Sequence, residues 1–201
     1  MTSRVRKRLS AAERREKILA AAVRAFADKG YDDTSMDRIA ARAKVTKPVL
    51  YDHFPSKQAL FLAVLASIRD GLIARGKGIV ETDSDPQQKF RRSVDAFLQF
   101  VEREPDAARV LLTVPRGDPR AAKISREVQA GASEGIARLL AAFMPGSAPW
   151  RVQAATEFLK AGLHAVAEWW LENPSPSREE LVDVVTAIAW AGLRSKDPRR
   201  D

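Results

Sequence analysis

The chain has 201 residues, no cysteine, and 34 Lys/Arg against 26 Asp/Glu, for a formal net charge of +8. Without cysteine there are no disulfides and no thiolate chemistry, which fits a reducing compartment. No apolar run is long enough to cross a bilayer, and the basic N-terminus lacks the apolar stretch of a signal peptide, so a cytoplasmic location is expected. The charge is unevenly placed: residues 1–57 hold 14 Lys/Arg and 7 Asp/Glu, whereas residues 58–201 hold 20 and 19. A basic segment joined to a neutral domain is the footprint of a nucleic-acid-binding protein. A patch for anionic lipid is the competing reading.

Residues 1–9, MTSRVRKRL, read as a disordered basic arm. Such an arm either reaches a phosphate or minor groove or is a plain solvated tail. Ser10 and Glu13 form a capping box for a first helix. Leu19, Val23 and Phe26 make its stripe, and Gly30 stops it. Thr34, with Asp37 three residues on, is predicted to cap a second helix. Met36, Ile39, Ala40 and Ala43 then fall at i, i+3, i+4 and i+7, one apolar face. Ala43-Lys44-Val45 breaks the pattern, and Thr46 caps a third helix. Pro48 lies in its first turn, where a missing N–H costs little. Val45 and Leu50 form a hydrophobic staple. Phe54-Pro55 ends this helix, and Ser56 caps a longer fourth one.

Two short helices joined by a three-residue turn make a helix-turn-helix, whose second helix can enter a DNA major groove. A purely structural helical hairpin has the same spacing. In the DNA-binding reading, Thr46, Lys47, Pro48 and Tyr51 face outward while Leu50 and Phe54 pack inward. Thr34, Ile39-Ala40, Ala43, Val45-Thr46, Leu50-Tyr51, Phe54, Lys57 and Leu60 resemble the DNA-binding signature of the TetR family of transcriptional regulators. The resemblance spans roughly residues 10–65. One position departs: the family usually has glycine in the turn where this chain has Lys44. A left-handed backbone there would strain a lysine by roughly 1 kcal/mol.

The resemblance implies a homodimer that reads an inverted-repeat DNA operator. Thr46 and Lys47 become the base-edge candidates, with Pro48 against a thymine methyl. Thr34, Ser35, Tyr51, His53 and Lys57 are expected at the DNA as well, Thr34, Tyr51, His53 and Lys57 fixing register through phosphates.

The fourth helix runs from Ser56 to about Val80 and links the basic segment to the rest. Gly71, Gly76 and Gly78 thin its far end. ETDSDP at 81–86 is a linker; Asp85 caps and Pro86 opens helix five. Phe90, Val94, Phe97, Leu98 and Val101 form its stripe, with Phe100 on the flank. Pro105 starts a short sixth helix, and Asp118-Pro119 opens the seventh, which carries Gly131 and Gly135. Helix eight, about Trp150 to Glu172, shows two apolar faces. One is Val152, Ala155, Leu159, Gly162, Leu163, Val166 and Trp170; the other is Phe158, Ala161, Ala165 and Trp169. Two faces need two partners. Ser177 and Glu180 cap helix nine, in which only Asp183 is charged between Leu181 and Leu193.

A terminal helix apolar nearly all round points to a second chain. Phe158, Trp169, Trp170, Leu181, Val185, Ile188 and Trp190 are therefore the expected dimer interface, with an ordinary intrachain core as the alternative. Phe97, Phe100, Leu111, Leu112, Phe143, Trp150 and Phe158 form a surplus of large apolar side chains. They either line a cavity for a small, mainly hydrophobic effector or fill a solid core. The resemblance implies that such a ligand shifts helix four and respaces the two DNA-reading heads, most simply releasing a repressor.

No catalytic constellation is evident. The two histidines are His53 and His164; His164 and Glu168 have a metal-ligand spacing without a third ligand. No phosphate-binding loop or dinucleotide pattern occurs, so no enzyme, cofactor or metal is expected. A DNA-architectural protein without a ligand is the other reading, but a large apolar C-terminal part argues against it. The fold class is all-α with about nine helices. Residues 10–55 form a three-helix DNA-binding domain, 56–194 a larger ligand-binding and dimerisation domain, and 195–201 a polar tail.

Overall fold

The computed structural model describes residues 10–80 and 85–194, and among these the side chains at all positions except 77, 78, 80, 86, 131, 132, 135, 139, 143 and 192–194. The basic arm 1–9, most of the acidic linker, the tail 195–201 and the environments of Gly131, Gly135 and Phe143 lie outside the described residues. Nine helices and no strand occur among the described residues.

The predicted capping box starts α1 (Ala11–Lys29). Ser10 Oγ accepts from the Glu13 N–H at 3.1 Å, and Glu13 Oε2 accepts from the Ser10 N–H at 2.7 Å. Ile18, Ala22, Ala25 and Phe26 are buried on one face. Gly30, at φ 73°, ends the helix. The cap of α2 (Met36–Ala43) corrects the prediction: it is Ser35, whose Oγ accepts from the Arg38 N–H at 3.2 Å. Thr34, one residue earlier, is buried. Its hydroxyl lies 3.0 Å from the Ala25 carbonyl and 2.7 Å from that of Gly30, to which it donates. Thr34 thus pins the loop to the end of α1.

Lys44 ends α2 in the left-handed region, at φ 53° and ψ 44°. The Val45 N–H reaches Ala40 O and the Lys44 N–H reaches Ala41 O, both at 3.1 Å. This is the paired closure of a Schellman motif, which usually employs glycine. In α3 (Lys47–His53), Thr46 has the extended backbone of a cap but makes no capping bond through its side chain. Pro48 removes one of the two N–H groups that a cap would engage. Leu50 and Phe54 are buried, and Pro55 holds Phe54 in the extended backbone that stops the helix.

Ser56 caps α4 (Lys57–Val80), accepting from the Ala59 N–H at 3.1 Å. The helix runs unbroken through Gly71 and Gly76. Phe61, Val64, Leu65 and Ile68 are buried, and the helix packs on α1 and on α5 and α7. It is therefore the rod between the two parts of the molecule. The second part comprises α5 (Pro86–Arg103), α6 (Pro105–Leu112), α7 (Pro119–Phe143), α8 (Pro149–Glu172) and α9 (Arg178–Arg194). Phe90, Val94, Leu98, Phe100 and Val101 bury the predicted stripe of α5, which packs against α4, α6, α7, α8 and α9. A fully buried Leu or Phe contributes about 1.5–3 kcal/mol, so this stripe is a large part of the core of the larger domain. Leu181, Val182 and Ala189 seat α9 on it, and Arg91–Asp183 (2.6 Å) and Arg178–Asp95 (2.9 Å) fix its register.

Candidate DNA interface

α3 is held from behind and open in front. Leu50 is fully buried, Phe54 nearly so, and the Arg15 guanidinium lies 5.2 Å from the Phe54 ring centroid. On the other side Thr46, Lys47, Pro48 and Tyr51 are exposed. A hydroxyl without a capping bond, an ammonium, a pyrrolidine ring and a phenol thus share one solvent-facing surface. Those groups suit base-edge hydrogen bonds, a thymine methyl and a phosphate oxygen. Lys47 Nζ sits 2.9 Å from Asp37 Oδ1 on α2, with both side chains more than half exposed. The hydrogen bond to Asp37, then its charge, raises the Lys47 pKa. An exposed pair of this kind is weak, so the ammonium can exchange Asp37 for a DNA acceptor. Ser35 is exposed at the start of α2, and His53 is half-buried with its ring 6.4 Å from that of Phe54.

Two predicted DNA contacts are placed elsewhere. Thr34 is 2 % exposed and its hydroxyl is engaged inside the fold, so it presents nothing to a phosphate. Lys57 Nζ donates to Tyr31 O at 2.9 Å and Asp32 O at 3.2 Å and stands 4.3 Å from the Tyr31 ring centroid. It is a joint between α4 and the α1–α2 loop. Arg38, exposed on α2, is a cation that the sequence analysis passed over. Its only signal was a polar position on an amphipathic helix.

The predicted ligand residues do not form one chamber. Phe100, Leu111 and Leu112 are buried, and Phe97 is half-buried with its ring stacked 6.0 Å from His164. Burial, then the Lys160 charge, lowers the His164 pKa below its ordinary 6.5. Trp150 and Phe158 are 71 % and 74 % exposed, because both project from the outer side of α8, and neither lines an interior space. A cleft of about 440 Å³ lies between α7 and α8, lined by polar groups that include Arg126, Gln129, Ser133 and Lys160. A second, of about 700 Å³, opens where the two parts of the molecule meet and includes Leu112, Tyr31, Asp32 and Arg116.

The two faces of α8 are divided as the stripes predicted. Leu159, Leu163, Val166 and Trp170 point into the fold, whereas Phe158, Ala161, Ala165 and Trp169 are exposed; Gly162, assigned to the inner stripe, is exposed too. Val184, Ala187, Ile188 and Ala191 form an exposed apolar strip on α9. Two expected interface residues are corrected. Trp170 is in the core, its Nε1–H donating to Pro176 O at 2.9 Å, and Leu181 is buried against the bundle. Val185 and Trp190 are half-buried. Val184, missed earlier, lies in the same apolar run as Val185.

Residues 18–64 match the family described as bacterial regulatory proteins, TetR family, and residues 85–191 match the tetracyclin repressor-like C-terminal domain. The chain belongs to the TetR family. The HTH-type transcriptional activator FasR of Mycolicibacterium smegmatis is 33 % identical over 192 residues, covering 92 % of this chain and 85 % of FasR. A TetR-like regulator from a Rhodococcus species superposes with a TM-score of 0.78 at 29 % identity, over 94 % of this chain and 100 % of that one. Bacillus subtilis FadR, solved in complex with stearoyl-CoA, gives a TM-score of 0.77 at 17 % identity over 88 % of this chain and 98 % of FadR, a likeness of fold alone. The TetR-family turn that usually carries glycine is built here on Lys44, with the motif's closing hydrogen bonds intact. No helix among the described residues is long and apolar enough to cross a membrane.

Proposed function

We propose that this TetR-family regulator binds an inverted-repeat operator in the cytoplasm as a homodimer, with α3 of each protomer in a major groove. The observation that carries the reading is the outward set Thr46, Lys47, Pro48 and Tyr51 on a helix anchored by Leu50 and Phe54. Ser35 and His53 flank that surface as backbone contacts. Phe158 and Trp169 on α8 with Val184 and Ile188 on α9 supply the dimer contact. Solvent-exposed large apolar groups on two consecutive helices mark such a surface, and two-fold pairing gives the symmetry that an inverted repeat requires.

We further propose that the protein is a repressor released by a small, mainly hydrophobic effector held beside Phe97, Phe100 and Leu111. Phe97 is half-buried with its ring stacked on His164, whose pKa is lowered by burial, so the neutral imidazole is favoured beside an apolar group. To act, the effector must bind the non-binding conformation more tightly than the DNA-bound one. The test is selection of bound DNA from a random pool by purified protein, followed by a hydrophobic-ligand screen by thermal shift with and without the selected site. Enrichment of an inverted repeat, with a ligand that stabilises free protein and weakens DNA binding, supports the whole reading. A pool without enrichment defeats the operator assignment, and ligands that stabilise without changing DNA affinity defeat the effector assignment.

A further inference from the structure

Three stretches far apart in sequence meet through charged hydrogen bonds where the two parts of the molecule join. The α1–α2 loop brings Tyr31 and Asp32, the start of α4 brings Lys57 and Gln58, and the α6–α7 loop brings Arg116, Gly117 and Asp118. Asp118 Oδ2 accepts from the Tyr31 hydroxyl and from the Gln58 side-chain amide, each at 2.9 Å. Its Oδ1 takes the N–H groups of Arg120 and Ala121 at 2.9 and 3.2 Å, capping α7. Going the other way, Asp32 Oδ2 accepts from the N–H groups of Arg116 and Gly117 at 3.1 and 3.0 Å. Lys57 closes the ring by binding the carbonyls of Tyr31 and Asp32. Each carboxylate is supplied by one part of the molecule and receives hydrogen bonds from the other.

The Asp32 carboxylate is in close contact with Gly117. A β-carbon added there would stand 2.9 Å from Asp32 Oδ1, closer than non-bonded atoms tolerate. The Asp118 carboxyl is held down at about 2, first by the Gln58 amide and then by the Tyr31 hydroxyl. It therefore stays a full acceptor across the physiological range.

We propose that Asp32, Gly117, Tyr31, Gln58 and Asp118 form a polar latch that fixes the angle of the DNA-reading head against α7, making them positioning residues for operator recognition. The proposal rests on the DNA-binding reading for its consequence but not for its geometry. Hydrogen bonds that join two elements in one orientation favour that orientation over others, and removing the acceptor removes that preference. With the latch intact the two heads of a dimer keep one separation, and half-site spacing is discriminated. With it open, α4 and the packing of α1 against α6 still hold the head, but the head samples a wider range of angles. The cleft of about 700 Å³ alongside, which includes Tyr31, Asp32 and Arg116, gives solvent a path to these bonds.

The chain has no cysteine, so two can be introduced at will. Asp52→Cys on α3 and Ala130→Cys on α7, both exposed, are spin-labelled and diluted with unlabelled chain. Pulsed electron spin resonance then gives the head-to-α7 distance distribution. The latched protein should give one narrow distribution. Asp32→Ala and Gly117→Ala should each broaden it at least twofold, Tyr31→Phe should broaden it less, and Asp32→Asn, which keeps an accepting oxygen, should leave it narrow. Equal widths in all variants overturn the proposal, as does an Asp32→Asn distribution as broad as that of Asp32→Ala. The second arm measures affinity for the selected site with its half-sites moved one base pair closer or further apart. The latched protein should lose at least tenfold and Asp32→Ala less than about threefold. An unchanged spacing penalty in a variant with a broadened distribution overturns the role in operator recognition. If the labelled distances respond but the unsubstituted protein binds no DNA, the latch stands and the DNA reading falls.

Discussion

Lys44→Gly tests whether the turn between α2 and α3 is strained as its geometry implies. Lys44 is the one non-glycine residue at positive φ among the described residues, at 53°. Its side chain is exposed and makes no hydrogen bond or ion pair among the described residues. Glycine therefore removes the β-carbon clash and loses no contact. Relief of a left-handed L-residue is worth roughly 1–2 kcal/mol, and the greater freedom of glycine in the unfolded chain offsets about 0.4–1 kcal/mol of that. The net expectation is stabilisation by about 0.5–1 kcal/mol, or about 1–4 °C in Tm for a chain of this size. Urea unfolding and a thermal melt both read it. Lys44→Asn should fall between lysine and glycine, and Lys44→Val should destabilise, because a β-branched residue is the least tolerant of this region. A clear loss of stability in Lys44→Gly would refute the strain argument and mean that the lysine contributes something the turn geometry does not explain.

Phe158→Asp on α8 and Ile188→Asp on α9 each place a charge on an exposed apolar face. They should give folded monomers in sedimentation, with weakened operator binding; a dimer unchanged at the same concentration removes α8 and α9 from the interface. Thr34→Val should cost about 1–3 kcal/mol of stability by leaving buried carbonyls without their hydroxyl partner. The base preference of the folded fraction should be unchanged; a changed preference would return Thr34 to the DNA. The His164 pKa is depressed in the fold, so as pH falls through 6.5 the unfolded chain takes up the proton first and stability drops. Between pH 8 and 5, His164→Phe should flatten that acid-side loss while still stacking on Phe97; an unaltered slope places the titration elsewhere.

Local chemistry was the most legible part of this sequence. Ser10 with Glu13, Asp85 with Pro86 and Asp118 with Pro119 each mark a helix start that the fold uses, because capping needs only neighbouring residues. Periodicity separated the two faces of α8 for the same reason. Thr34 and Ser35 are equally good caps in sequence. The difference between them is burial: the site beneath Thr34 is the end of α1, which no pattern in residues 34–43 reveals. Trp150 and Phe158 show the limit of reasoning from size alone, since a large apolar side chain serves a core, a cavity or an exposed face alike. The junction around Asp118 was invisible, as Tyr31 and Asp118 are 87 positions apart and neither breaks a local rule. The structural role of Lys57 was invisible for that reason too: its partners are carbonyls 25 and 26 positions away.

The most direct test of the account is the DNA selection carried out in parallel with the unsubstituted protein and Lys47→Ala. The account predicts an inverted repeat for the first. For the second it predicts the same repeat with base preference lost at one symmetric pair of positions, and an affinity for the original site lower by roughly ten- to hundredfold. Lys47→Ala selecting the same sequence with the same affinity would contradict the placement of α3 in the major groove.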